Sequence, residues 1–301
     1  MSDYQFDYII YHLVKPKCNC PDGIASAWVC HKYNPNAQII GMCYGDELPD
    51  LPVGCNLICV DFSFTKEQLQ QLENKQIRII IIDHHVSAFN MFSEHTPVNL
   101  SDGLICSRDS LKYWYDVNEC GASLTWRVLF PNQVMPSFLK YVKDRDLWEH
   151  KLPKTKEMFE ALSILGRTFE TFDYLAELSE EKLLKLVAPI GQGVLEKKQR
   201  TISKLCHQAN LVTEKIGNYE VIGIQLKPYY SRWTSDIAEY LYKLYPDMPF
   251  VFCKGIAKED GTKYSLRSSE QSGFDVSKIA ESYGGGGHKH AAGFVMTNVL
   301  E

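Results

Sequence analysis

The sequence predicts an α/β fold in two parts: an N-terminal, doubly wound and mainly parallel sheet, joined by a connector helix to a smaller α/β domain. Three observations predict it. Residues 78–83, RIIIID, carry four consecutive isoleucines, the pattern of a strand buried on both faces of a parallel sheet. Strand and helix signals alternate through the first half of the chain, which places helices on both faces of that sheet. After a long polar–apolar helical stretch from Ser179 to about Gln208, strands and helices resume in a new order. The expected divisions are 1–190, a connector at 191–212, and 213–301.

In chain order, FDYIIYHL (6–13) reads as a strand and GIASAWVCHKY (23–33) as a helix. AQIIGMCY (37–44) and NLICVDFS (56–63) follow as strands. TKEQLQQLENK (65–75) is a helix whose Thr65 and Gln68 form a capping box. GASLTWRVLF (121–130) and SFLKYVKDRDLW (137–148) are helices. In the second part, YEVIGIQL (219–226), PFVFCKGIA (249–257) and KYSLRSS (263–269) are strands, interleaved with helices SDIAEYLYKLY (235–245) and DVSKIAESYG (275–284).

Composition narrows the function classes. Apolar residues make up 45% of the 301 and charged residues 23%, the balance of a globular protein. No stretch approaches a membrane span, and the first residues lack a basic leader with a long apolar core, so the expected location is the cytoplasm. Several of the ten cysteines lie inside apolar runs, which predicts reduced thiols. A formal net charge of −5 argues against coating long nucleic acid through a basic surface. An anionic ligand would be held by a local site.

Ligands of doubly wound sheets bind beyond the carboxyl ends of the strands. The first strand ends at His12, with Asp22 following in CNCPDGIASA. Another carries Asp61, and the third ends in Asp83, His84 and His85. Asp144 and Asp146 of KDRDLW close a helix. Burying such groups is costly without compensation. Mixed carboxylate and imidazole donors suit Mn²⁺, Fe²⁺ or Zn²⁺, and paired ions clamp the attacking and leaving oxygens of a phosphoryl transfer. Each residue alone has a structural alternative: a satisfied core histidine, an Asp-Gly turn, a helix cap at Asp61. Their coincidence at successive element ends favours metal. Near the C-terminus, YGGGGHKHAAGF offers backbone N–H groups beside His288 and His290, a nest suited to phosphate, against the alternative of a plain loop. Arg267 in SLRSS presents a fork that grips phosphate, or is a surface arginine. Trp126 and Trp148 read as core. Tyr229, Tyr230 and Trp233, in KPYYSRWTSD, read as candidates for base stacking.

Taken together, CPDGIASA (20–27), VDFSF (60–64), DHH (83–85), SLRS (265–268) and GGGGHKHAAGF (284–294) resemble the DHH phosphoesterase family with its C-terminal DHH-associated domain, and most of all its oligoribonuclease (nano-RNase) branch. The resemblance spans nearly the whole chain. It implies a two-metal phosphodiesterase that cuts short single-stranded oligonucleotides or dinucleotides to mononucleotides, using Mn²⁺ or another divalent ion such as Mg²⁺ or Co²⁺. His12 and Asp61 would bind one metal. Asp22, Asp61, His84 and an aspartate of KDRDLW would bind the second, with Asp144 preferred over Asp146 because Trp148 stands four residues after it. Asp83 would orient these ligands, and His85 would face the scissile phosphate. Arg267, Ser268, Gly284, Gly285, Gly286, Gly287 and His288 would hold the substrate. His12 stands ten residues before Asp22, a longer gap than the family's usual one, and Cys20 takes a position where many relatives have a metal-binding aspartate. Rival readings keep the fold: a phosphodiesterase for a cyclic dinucleotide or its linear product, a nucleotide bisphosphate phosphatase, or a nucleotide sensor with a decayed metal site. Apolar helix faces allow a homodimer.

Overall fold

In the computed structural model, which describes residues 4–14, 18–85, 104–107, 110–256, 261–269 and 272–297, the chain divides into two units, Met1–Leu195 and Glu196–Glu301. The first is built on β1 (Tyr8–Val14), β3 (Gln38–Met42), β4 (Asn56–Val60), β5 (Arg78–Asp83) and β7 (Leu111–Tyr115), all parallel in the order β3–β1–β4–β5–β7. Antiparallel pieces close it: β2 (Cys18–Asn19) on the end of β1 and β6 (Leu104–Ser107) on β7.

Side chains alternate between the faces of a strand, and here both faces are covered. Ile58, Val60 and Ile82 pack on one face with α1 (Pro21–Tyr33), α3 (Gly121–Leu129) and α4 (Ser137–Asp146). Leu57, Cys59, Ile79 and Ile81 pack on the other with α2 (Lys66–Asn74). The isoleucine run therefore satisfies two cores at once, each fully buried aliphatic side chain contributing about 1.5–3 kcal/mol. The Thr65–Gln68 capping box forms at the start of α2.

The structure adds elements for which the sequence carried no expectation. These are β2, β6 and β7, α5 (Thr155–Leu165), α6 (Phe169–Ala176), β8 (Leu211–Ile216), β12 (Gly286–His288) and β13 (Ala291–Thr297). Strand β7, LKYWY, is short and mixes a lysine with aromatics, so its strand character comes from pairing with β5. One continuous helix, α7 (Glu180–Leu205), runs through the division between the units.

The second unit is a mixed sheet in the order β12–β13–β11–β10–β9–β8, comprising β12 (Gly286–His288), β13 (Ala291–Thr297), β11 (Gly261–Arg267), β10 (Val251–Ile256) and β9 (Tyr219–Gln225). Only the β9–β10 pair is parallel. Residue 257, the last of one expected strand, lies outside the described residues. Helices α8 (Thr234–Leu244) and α9 (Val276–Ser282) supply buried Ile237, Leu241, Val276 and Ala280 to its cores. Among the described residues, no helix is long and apolar enough to cross a membrane.

Candidate metal centre

Parallel register assembles the site. Tyr11 pairs with Val60 and Val60 with Ile82, so the next residue of each strand, His12, Asp61 and Asp83, emerges at the same carboxyl edge. Asp61 adopts a left-handed backbone (φ 53), unusual for a non-glycine residue, which ends β4. Helix α1 brings Asp22 to that edge in its first turn, and α4 brings Asp146 in its last.

Close approach is required. A Cβ at Gly23 would lie 2.3 Å from the His12 carbonyl oxygen, and one at Gly121 would lie 2.6 Å from Asp61 Cβ. Gly121 begins α3, whose first amides cap the buried Asp22: Gly121 N–H donates to Oδ2 at 2.6 Å and Ala122 N–H to Oδ1 at 2.8 Å. A carboxylate at a helix N-terminus is stabilised by the free N–H groups and the dipole.

His84 lies among three carboxylates. Its Nε2 is 3.2 Å from Asp61 Oδ1, 3.6 Å from Asp22 Oδ2 and 3.5 Å from Asp146 Oδ2. On the other side of Asp61, His12 Nδ1 is 3.5 Å from Oδ2. Three overlapping donor sets result: His12, Cys20 and Asp61; Asp22, His84 and Asp146; and Asp61, Asp83, His84 and His85. In each, one donor atom from every residue lies within 4.8 Å of the others.

The electrostatics fit cations. Burial, then Asp61 and Asp146, push the Asp22 carboxyl well above the usual range, with His84 offsetting only part. Burial and Asp61 also raise Asp146. Burial would raise Asp61 too, but the His12 and His84 imidazoles beside it outweigh that and hold the carboxyl down at about 2. Burial opposes protonation of His84, yet the Asp61 hydrogen bond and the neighbouring carboxylates lift it to about 9. Burial, followed by Asp61 and Asp22, raises the Cys20 thiol, so it is neutral in the metal-free chain. Asp61 Oδ2 is buried without a hydrogen-bond partner. An orphaned carboxylate oxygen among imidazoles and further carboxylates suits a divalent cation.

Asp83 has a different part. Its Oδ1 accepts from the His84 N–H (2.8 Å), the His85 N–H (3.3 Å) and His85 Nδ1 (2.7 Å), and its Oδ2 accepts from the Ser63 hydroxyl at 2.5 Å. With both oxygens engaged, it fixes the two histidines. Ser63 was missed in the sequence, although it stands two residues after Asp61 in VDFSF. Tyr44 was missed as well. Its ring stacks on Phe62 at 4.6 Å and lies 5.3 Å from His12 and 6.3 Å from His85.

Two expectations are corrected. Asp144, preferred as a ligand, is buried away from the cluster, accepting from the Lys151 N–H at 2.8 Å, the Leu152 N–H at 3.3 Å and the Thr155 hydroxyl. Two residues along a helix turn a side chain by about 200°, so Asp146 reaches His84 where Asp144 cannot. Trp148, expected in the core, is 64% exposed because its left-handed backbone (φ 58) ends the helix.

In the second unit, the glycine run is not a free loop. The Gly284 and Gly285 N–H groups close α9 by donating to Glu281 and Ala280. Gly286 to His288 form β12, paired with β13, where a Cβ at Gly287 (φ 144) would lie 2.6 Å from the Ala291 carbonyl oxygen. The amides of Gly284 and Gly285 are thus taken, which narrows the expected phosphate nest, while His288 remains exposed. Arg267 ends β11, half-buried, with its guanidinium on the Leu266 carbonyl at 2.9 Å. The Ser268 hydroxyl donates to the Phe274 carbonyl at 2.6 Å and meets His290 Nδ1 at 2.9 Å. Tyr229, Tyr230 and Trp233 cluster on one short 3₁₀ turn.

Residues 235–301 match the DHHA1 domain. The chain is 27% identical over 315 residues to the uncharacterised protein R106 of Acanthamoeba polyphaga mimivirus, covering 98% of this chain and 68% of that protein. It is 25% identical over 251 residues to oligoribonuclease NrnB of Bacillus subtilis (strain 168), covering 77% of this chain and 56% of that protein. It thus spans between about half and about two thirds of these relatives. Among solved structures, the pGpG-specific phosphodiesterase PggH from Vibrio cholerae superposes with a TM-score of 0.51 at 13% identity, covering 97% of this chain and 94% of that one, which shows a shared fold.

Proposed function

We propose that this chain is a DHH-type phosphoesterase, its residues 235–301 matching the DHHA1 domain and its sequence aligning with oligoribonuclease NrnB, and that it hydrolyses short oligonucleotides to mononucleotides with divalent metal ions, Mn²⁺ foremost. The observation that carries this reading is the buried Asp61 Oδ2, which accepts no hydrogen bond and lies between two donor groups. Its relative NrnB is an oligoribonuclease by name, which supports the substrate class. His12, Cys20 and Asp61 would hold one ion, and Asp22, Asp61, His84 and Asp146 the other. Bound there, divalent cations lower the pKa of an attacking water and neutralise charge growing on the phosphoryl oxygens.

The chain's own groups do the rest. His85 gives its Nδ1 to Asp83, which leaves Nε2 to face the substrate. Burial disfavours the charged imidazole, but the Asp83 hydrogen bond and charge win and raise its pKa. His85 therefore holds a proton at Nε2 for a phosphoryl oxygen or the departing alkoxide. Asp83 and Ser63 keep that ring in place. The net charge of −5 fits a preference for short chains, since long polymers gain nothing from the surface.

The test is product formation from 5′-labelled RNAs of two to ten nucleotides with Mn²⁺, beside a cyclic dinucleotide. Mononucleotide release that slows as length grows supports the proposal. Opening of the cyclic dinucleotide alone overturns the substrate, and turnover of neither overturns the activity.

A further inference from the structure

Beside the carboxylates lies a pocket of about 250 Å³, and the chemistry above uses only the edge formed by Asp22 and Asp146. The rest of its wall includes Tyr141, Arg145, Trp148, Met158, Phe159 and Leu162. We propose that this pocket receives one nucleobase of the substrate, stacked on Trp148; the inference rests on the phosphodiesterase reading and names how that site positions its nucleotide.

The pocket is built, and Asp144 builds it. The Asp144 carboxylate gathers Lys151, Leu152 and Thr155, and its carbonyl accepts from the Glu149 N–H at 3.0 Å and the His150 N–H at 3.3 Å. These bonds clamp a turn in which Trp148 (φ 58), His150 (φ 50) and Lys154 (φ 68) all have left-handed backbones. Such conformations on non-glycine residues persist where the surroundings enforce them, and they gather at ligand sites. Here they hold a large aromatic side chain outward, 64% exposed, next to the metal donors. The Arg145 guanidinium lies 3.8 Å from the Trp148 ring centroid and 4.7 Å from that of Phe159.

The chemistry selects a planar heteroaromatic ring. Aromatic faces stack with any base, and arginine adds a cation beside the rings. The aliphatic floor of Met158 and Leu162 offers nothing to a phosphate. The volume falls below the roughly 300–1,000 Å³ of pockets for drug-sized ligands, which suits a single base.

Two readouts test the proposal. The first is steady-state kinetics with Mn²⁺ on a dinucleotide and on its two singly abasic counterparts, for wild type, Trp148→Ala and Trp148→Phe. Trp148→Ala is expected to raise KM for the intact dinucleotide about tenfold or more with kcat little changed. It should cost nothing further on one abasic substrate, and Trp148→Phe should restore KM. An equal penalty on all three substrates, or a fall in kcat alone, overturns the proposal. The second readout needs no turnover: the Trp148 emission, taken as the difference between wild type and Trp148→Phe, is titrated with GMP or AMP and with ribose 5-phosphate. Quenching by the nucleotides and not by the sugar phosphate supports the pocket even if no oligonucleotide is cut, in which case the proposed function alone fails. No quenching by either nucleotide overturns the pocket.

Discussion

The polar residues of the two units differ in how their hydrogen-bonding capacity is spent. At the carboxyl edge of the first sheet, Asp22, Asp61, His84 and Asp146 face one another, and a buried Asp61 oxygen accepts no hydrogen bond. At the end of β11 in the second sheet, Ser268 is consumed by Phe274 and His290, and Gly284 and Gly285 by the end of α9. The contrast teaches that a motif's residues divide into those left short of a partner, which can take a ligand, and those whose bonds are complete, which shape the backbone. The same split runs within one helix, between Asp146 and Asp144.

The largest expected effect is at the shared carboxylate. Asp61→Asn should lower the metal content per chain and reduce kcat by about a thousandfold or more, beyond the 10–100-fold typical of groups that only orient ligands. Elemental analysis with single-turnover kinetics would show it; full metal content and rate would place the centre elsewhere. Next comes the pair on α4. Asp146→Asn should lose metal with little change in thermal stability. Asp144→Asn should keep metal yet destabilise by about 2–3 kcal/mol, because a buried hydrogen-bonded carboxylate is lost. Thermal melts beside metal analysis separate them, and matching profiles would erase the distinction. Ser63→Ala, which frees one oxygen of Asp83, should cost 10–100-fold in rate with metal retained in part.

Acidity sharpens the contrast further. His84 is raised from 6.5 to about 9 by the Asp61 hydrogen bond and nearby carboxylates, against the pull of burial. The folded chain thus holds that proton more tightly than the unfolded one. The contribution is full below about 6.5 and is lost as pH rises through about 9. Melting temperature in chelator should fall across that window. With Mn²⁺ it should hold, because the ligand form of histidine is neutral and binding releases the proton. Identical slopes in both buffers would remove His84 from the metal set. The smallest effect is expected at Ser268→Ala, a loss of about 1 kcal/mol in the second unit with unchanged metal content, read by the same melts.

Much of this was legible in the sequence because it was periodic or local. The isoleucine run announced a doubly buried strand, Thr65 and Gln68 announced a cap, and His12, Asp61 and Asp83 marked the ends of successive strands. Strand β7 was not legible, since its five residues become a strand through pairing with β5. Nor was the fate of the glycine run, where a helix end and a hairpin share one stretch of chain.

The sequence by itself determined which residues could bear the chemistry and that parallel strands would gather them, because side-chain alternation and strand ends are properties of the local chain. Only the tertiary structure decided which of them meet. Asp146 joins His84 while Asp144 ties down a turn, and Trp148 stands in the open rather than in the core. Which face of α4 meets the strand ends is set by its packing against α1 and α3, elements distant in the chain, and no spacing of residue types encodes that.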